Sequence, residues 1–300
     1  MYSAERLDEW IGIPVDELAS RSRVPFQLVE SPADVHRVFA DDLWEEISAA
    51  RDAGREISLI VPLGPTGQYQ LLAERLNAER LALDHVTFFG MDAWLDWQGR
   101  PFEPDHPYSL EGEFHRVFLD LVDPELRPAP ENVIFPSPLH LDRSAEELER
   151  RGNLVATYGG VGFQGHVAFN EPPGSRWIAV SVEELRASRT RILPVAIDTL
   201  IAHSQRRAGG NVFAVPPMAV TLGMHELLGA PRVRLYLDKG PWKRMILRIL
   251  LFGDPDVDYP VTLVQSHPDV RVVADRDSAA PPLPSAEAKA QRLVDAGQPR

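Results

Sequence analysis

The stretch "ISLIVPL" from Ile57 offers scarcely a polar face to water, and it is too short for a buried helix. A continuous β-branched run of this kind predicts a strand covered on both faces, which a parallel sheet flanked by helices provides. The neighbouring segments supply those helices. "SPADVHRVFADDLWEEISAARDAG" spaces its apolar residues for a helix, with Ser31 as N-cap and Gly54 as stop. After "GPTG", a second helix is predicted through "QYQLLAERLNAERL", then a strand in "HVTFFGMD" and a helix in "SLEGEFHRVFLDLV". "NLVATYGGVG" and "VRLYLD" read as further strands, "PWKRMILRILLF" as a helix, and "VTLVQ" and "VRVVA" as two short strands. Alternation of this kind predicts an α/β chain with a Rossmann-like, open, mostly parallel sheet and helices on both faces. Ligands of such sheets sit beyond the carboxyl ends of the strands. The expected organisation is an N-terminal extension over residues 1–29, one α/β domain over 30–277, and a Pro/Ala-rich tail over 278–300.

Composition narrows the function. A net charge of −13 argues against a broad nucleic-acid surface, and the absence of cysteine excludes disulfides, thiolate metal sites and cysteine nucleophiles. "MILRILLF" is too short and too broken by arginine to span a bilayer, and the acidic start lacks the pattern of a signal peptide. A cytoplasmic protein without nucleic-acid or membrane partners is expected. Of 31 basic residues only Lys239, Lys243 and Lys289 are lysines.

Three constellations carry chemistry. In "VPLGPTGQY" (61–69), the strand, the turn Gly64-Pro65-Thr66 and the helix start aim free backbone N–H groups and the Thr66 hydroxyl toward an anion, although an ordinary turn with Thr66 as helix cap fits equally. In "FFGMDAW" (88–94), Asp92 ends an apolar strand where a general base would stand, or caps a turn. "GGVGFQGHVAFNEP" (159–172) sets His166 and Glu171 in one glycine-rich loop, so that a carboxylate could orient the imidazole. Two stretches are set aside. "DPDVDY" (254–259) imitates a calcium loop but has Tyr259 in place of the glycine, and the "QRR" group reads as surface charge unless the ligand is phosphorylated.

These motifs, with "HPYS" (106–109), "SRTRI" (188–192), "AVTLGMHELLGA" (219–230) and "QSHPDVRVV" (265–273), resemble the glucosamine-6-phosphate deaminase/isomerase family over residues 31–277. Its sister group is the 6-phosphogluconolactonases, and "GHVAFNEP" favours the deaminase side. The resemblance implies a sugar-phosphate substrate, no metal or organic cofactor, and assemblies from monomer to homo-oligomer. It implies Asp92 as the base that takes the C2 proton, His166 as the ring-opening group and Glu171 as its partner. The turn Gly64-Pro65-Thr66 and Lys243 would hold the phosphate, with Arg206 if the alignment slips by one residue.

The chain departs from the family at several of these places. Gln164 stands where the family has an aspartate of the ring-opening group, whose negative charge would raise the histidine's pKa; its loss predicts a cost of roughly 10²- to 10⁴-fold. Pro65 replaces a turn glycine and deletes a backbone donor. The phosphate-gripping arginine aligns with Gln205, one residue before Arg206 and Arg207; Ala93 and Trp94 replace a Glu-Tyr pair, and Leu193 replaces an effector-binding lysine. Glu183, Glu184 and Glu226 are candidates to supply the missing carboxylate. The alternatives are a sugar-phosphate-binding protein with weakened chemistry and a lactone hydrolase.

Overall fold

The computed structural model describes residues 2–174 and 177–282. Among them are ten strands: β1 (Phe26–Val29), β2 (Ile57–Val61), β3 (Val86–Gly90), β4 (Asp92–Leu95), β5 (Val133–Ile134), β6 (Leu154–Gly160), β7 (Arg191–Pro194), β8 (Met218–Thr221), β9 (Val233–Leu237) and β10 (Val270–Asp275). Seven form a wholly parallel sheet in the order β1-β10-β9-β6-β2-β3-β5.

The apolar strands pack as their composition requires. In β2, Leu59 and Val61 join Val35, Phe39 and Leu43 of the helix Pro32–Asp52 on one face. Ile60 points the other way, into a second cluster with Leu247 and Leu250 of the helix Arg244–Phe252. Helices therefore cover both faces, and a strand with no polar side is the stable choice between them. The expected Ser31 cap is present as a full capping box with Asp34.

The sequence reading needs correction in three places. "VTLVQ" is not a strand: Pro260–Ser266 is a 3-10 helix. Its leading proline suits a first turn, and the Thr262 hydroxyl donates to Tyr259 O at 2.7 Å while accepting from Asp256 N–H at 2.8 Å, which closes the chain locally. Of the expected extension over 1–29, the described residues 2–29 do not stand apart from the domain, since Phe26–Val29 is the edge strand beside β10. The helix Ala4–Gly12 packs on Arg244–Phe252, where the fully buried Arg248 donates to Trp10 O, Ile13 O and Ala279 O. Finally, β4, β8 and β7 form a separate antiparallel sheet that strand–helix alternation does not announce. The 278–300 tail lies outside the described residues from 283 onward.

Candidate active site

The carboxyl ends of β2, β6 and β9 open into a cavity of about 160 Å³. Its lining includes Gly64, Pro65, Asp92, His166, Arg206 and Lys243, drawn from five separate stretches of chain. The turn after β2 is braced from the following helix, where Tyr69 Oη donates to Pro62 O at 2.5 Å and Gln68 Nε2 to Pro65 O at 2.8 Å. It also lies hard against the end of β6: a Cβ on Gly160 would stand 2.2 Å from Gly64 O, so this position admits only glycine. The Gly64–Pro65 peptide is cis. Thr66 occupies the N-cap position of the helix Gly67–Glu79 without a side-chain capping bond, and it is not among the lining residues.

The second sheet exists at this site for a reason. β4 starts at Asp92, immediately after the end of β3, and pairs Asp92 with Thr221 of β8. Thr221 Oγ1 accepts from Phe169 N–H at 3.1 Å, and Arg191 of β7 donates to Asn170 Oδ1 at 2.8 Å. Asn170, fully buried, donates in turn to Val167 O and Leu222 O. The small sheet thus positions the strand of Asp92 and the loop of His166 on one element. Asn170 serves to fix that loop.

Desolvation dominates the electrostatics. Burial pushes the Asp92 carboxyl up to about 7. Burial, with the nearby Lys243, His203 and Arg206, pushes the His166 imidazole down to about 3. No carboxylate among the described residues offsets this lowering, and burial is its largest cause. Glu171 stands behind the ring rather than in the cavity, its Oε1 3.9 Å from His166 Nδ1, and neither atom has a hydrogen-bond partner among the described residues. The other carboxylate oxygen accepts from Ala196 N–H, and burial raises the carboxyl's pKa.

The cationic end of the cavity begins at Lys243, which is buried, donates to Val161 O, and is pushed down to about 7 by burial and by Arg206. Arg206 lies over the Trp242 ring with 5.0 Å to its centroid, while the adjacent Arg207 pairs with both oxygens of Glu113 at 3.0 and 2.8 Å. The helix Ile197–Arg207 thus turns Arg206 and Arg207 into the cavity and leaves Gln205 out of it, so the one-residue slip that puts Arg206 among the lining residues fits the geometry.

Gln164 is not brought to this site. Its side chain is exposed and lines a different depression with Phe163, Ile246 and Tyr259. Nor do the other candidate carboxylates reach it: Glu184 caps its own helix at Ser181, Glu183 is exposed, and Glu226 accepts from Gly223 N–H. Sequence reasoning missed His203, Asp238 and Lys239, which all line the cavity. His203 packs edge-on to Trp94 with centroids 5.0 Å apart, and burial, with Arg207, Arg206 and Lys243, pushes it down to about 4. The scarcity of lysine was the one available signal for Lys239.

No family model matches the chain. The glucosamine-6-phosphate deaminase of Cronobacter sakazakii is 34% identical over 233 residues, spanning 75% of this chain and 80% of that protein. Among solved structures, a monomeric glucosamine-6-phosphate deaminase superposes with a TM-score of 0.72 at 22% identity, covering 85% of this chain and 98% of that one. The 6-phosphogluconolactonase of Thermotoga maritima gives 0.58 at 16% identity over 84% and 99%. The parallel sheet and its helices are therefore those of this group of folds, and by its sequence the chain belongs to the glucosamine-6-phosphate deaminase family.

Proposed function

We propose that the chain isomerises and deaminates an amino-sugar phosphate. The observation that carries this reading is one cavity with a carboxyl at about 7, a neutral imidazole, and a cationic far end. A base that removes a proton from carbon works best with a pKa near the working pH, and Asp92 meets that condition. The neutral His166 takes the proton of the C1 hydroxyl and returns it to the ring oxygen, which opens the pyranose to the aldehyde. Glu171, close to Nδ1, steadies the imidazolium that forms in passing. Asp92 then takes the C2 proton while the C1 oxygen gains one to give the enolamine, and Asp92 returns its proton to C1 as the nitrogen gives one up. The C2 imine that results is hydrolysed by water, releasing ammonia and leaving the ketose phosphate. Arg206 and Lys243 hold the phosphate, with backbone at Gly64; Pro65 has no N–H to give.

The test is release of ammonia and fructose 6-phosphate from glucosamine 6-phosphate by the purified protein, beside hydrolysis of 6-phosphogluconolactone above its spontaneous rate. Ammonia release supports the reading; lactone hydrolysis alone would replace it with the lactonase reading. Silence on both substrates with retained sugar-phosphate binding would favour the binding-protein reading, for which the missing donor at Pro65 is the motive.

A further inference from the structure

Both lysines within the described residues, Lys239 and Lys243, line the same cavity in a chain that otherwise uses arginine. They are held differently. Lys243 is buried against a backbone carbonyl, whereas the Lys239 side chain is 47% exposed and donates to Asp238 Oδ2 at 3.1 Å. The Asp238 side chain is 4% exposed, so the ammonium stands toward the open side and the carboxylate behind it. The same Oδ2 is 2.7 Å from His36 Nε2. His36 belongs to the helix Pro32–Asp52 and lies directly under the turn after β2: a Cβ on Gly67 would fall 2.2 Å from His36 Nδ1.

The imidazole therefore touches both walls of the anion end. It props the turn at 64–67 through Gly67 and fixes the start of the 238–243 segment through Asp238. A buried carboxylate shared by an imidazole and an ammonium holds that ammonium in one direction. The turn on the other side of His36, which lines the same cavity, lacks one N–H because of Pro65. A charge-assisted hydrogen bond from lysine to phosphate is stronger than the neutral one it would replace.

We propose that Lys239 is a second phosphate-gripping cation, positioned by Asp238 and, through it, by His36 beneath the turn. Lys239 offsets the donor that Pro65 cannot supply, and it selects for a phosphorylated ligand. This rests on the sugar-phosphate reading above, yet its test does not depend on turnover.

The probe is inorganic phosphate, titrated calorimetrically into the full-length protein at low salt. Wild type binds in the millimolar range or tighter, Lys239→Met weakens binding about tenfold or more, and Lys239→Arg recovers most of it. Asp238→Asn separates positioning from plain charge. It removes a negative charge beside the site, so an unspecific field predicts tighter phosphate binding, whereas a lost brace predicts weaker binding. Where turnover exists, Lys239→Met raises KM for the sugar phosphate about tenfold and leaves kcat within about threefold. Phosphate binding that is absent in wild type or unchanged in Lys239→Met overturns the proposal. Tighter binding by Asp238→Asn overturns the role of Asp238. A protein silent on glucosamine 6-phosphate that loses phosphate binding with Lys239 sinks the proposed reaction and leaves this clamp standing.

Discussion

The two ends of the cavity solve opposite problems. At the catalytic end, polar atoms are buried and left without partners: His166 Nδ1 and Glu171 Oε1 have none among the described residues. At the anion end the charges are tied down, Arg207 to Glu113, Lys239 to Asp238, which His36 holds in turn, and Lys243 to Val161 O. An unpaired buried group costs about 1–3 kcal/mol, so the catalytic end is kept at the expense of stability. What it provides is groups whose protons move easily. Pairing would fix those protons in place, while at the anion end fixed geometry is what recognition requires.

The largest expected effect falls on the catalytic end. Asp92→Asn lowers kcat by about 10²- to 10⁴-fold if the carboxyl is the C2 base, with KM nearly unchanged. The same variant reports on desolvation. Because the folded-state value, about 7, lies above the ordinary 3.8, the ionised carboxylate weakens the fold as pH rises from about 4 through 7. Melting temperatures measured across pH should therefore favour Asp92→Asn over wild type above pH 7, and the advantage should vanish near pH 4. An active variant with no such pH dependence would remove Asp92 from the catalytic end.

A smaller effect joins the two ends through pH. With Asp92 as the proposed base, activity should rise as pH climbs through about 7 and the carboxyl ionises. Phosphate binding needs Lys243 charged, and that charge is lost as pH climbs through about 7. The pH profile of kcat/KM should therefore be a narrow bell centred near 7, falling about tenfold per unit on either side. Bound phosphate stabilises the ammonium, so the alkaline limb of kcat should move upward while the acid limb stays near 7. Lys243→Met should lower kcat/KM at pH 7 and abolish the alkaline limb. A profile that climbs without a maximum from pH 6 to 9 would break the contrast between a desolvated base and a desolvated lysine.

Much of this arrangement was legible in the chain. The parallel sheet was, because β2, β3, β6 and β9 lack a polar face and the helices between them carry a stripe. The positions of Asp92, His166, Arg206 and Lys243 were legible through the strand ends and the family pattern. The antiparallel sheet was not: β4, β7 and β8 are four residues each, and their partners lie far apart in sequence. Pairing at that range leaves no local period to read. Asp238 and His36 were invisible for the same reason, since they meet across 202 residues.

Gln164 carries the smallest expected effect and teaches most about reading neighbours in sequence as neighbours in space. Between it and His166 stands Gly165 at a φ of 80°, in the left-handed region, and the chain reverses there. His166 faces the cavity, and Gln164 faces solvent beside Phe163 and Tyr259. A charge placed on that exposed side is screened by water and salt before it reaches the imidazole. Gln164→Asp should therefore change kcat/KM by less than about threefold and leave the pH profile in place. A gain of 100-fold or more would mean that the loop turns inward with substrate bound. The catalytic end would then be completed by a third carboxyl after all, and the family's aspartate would be working through charge at short range.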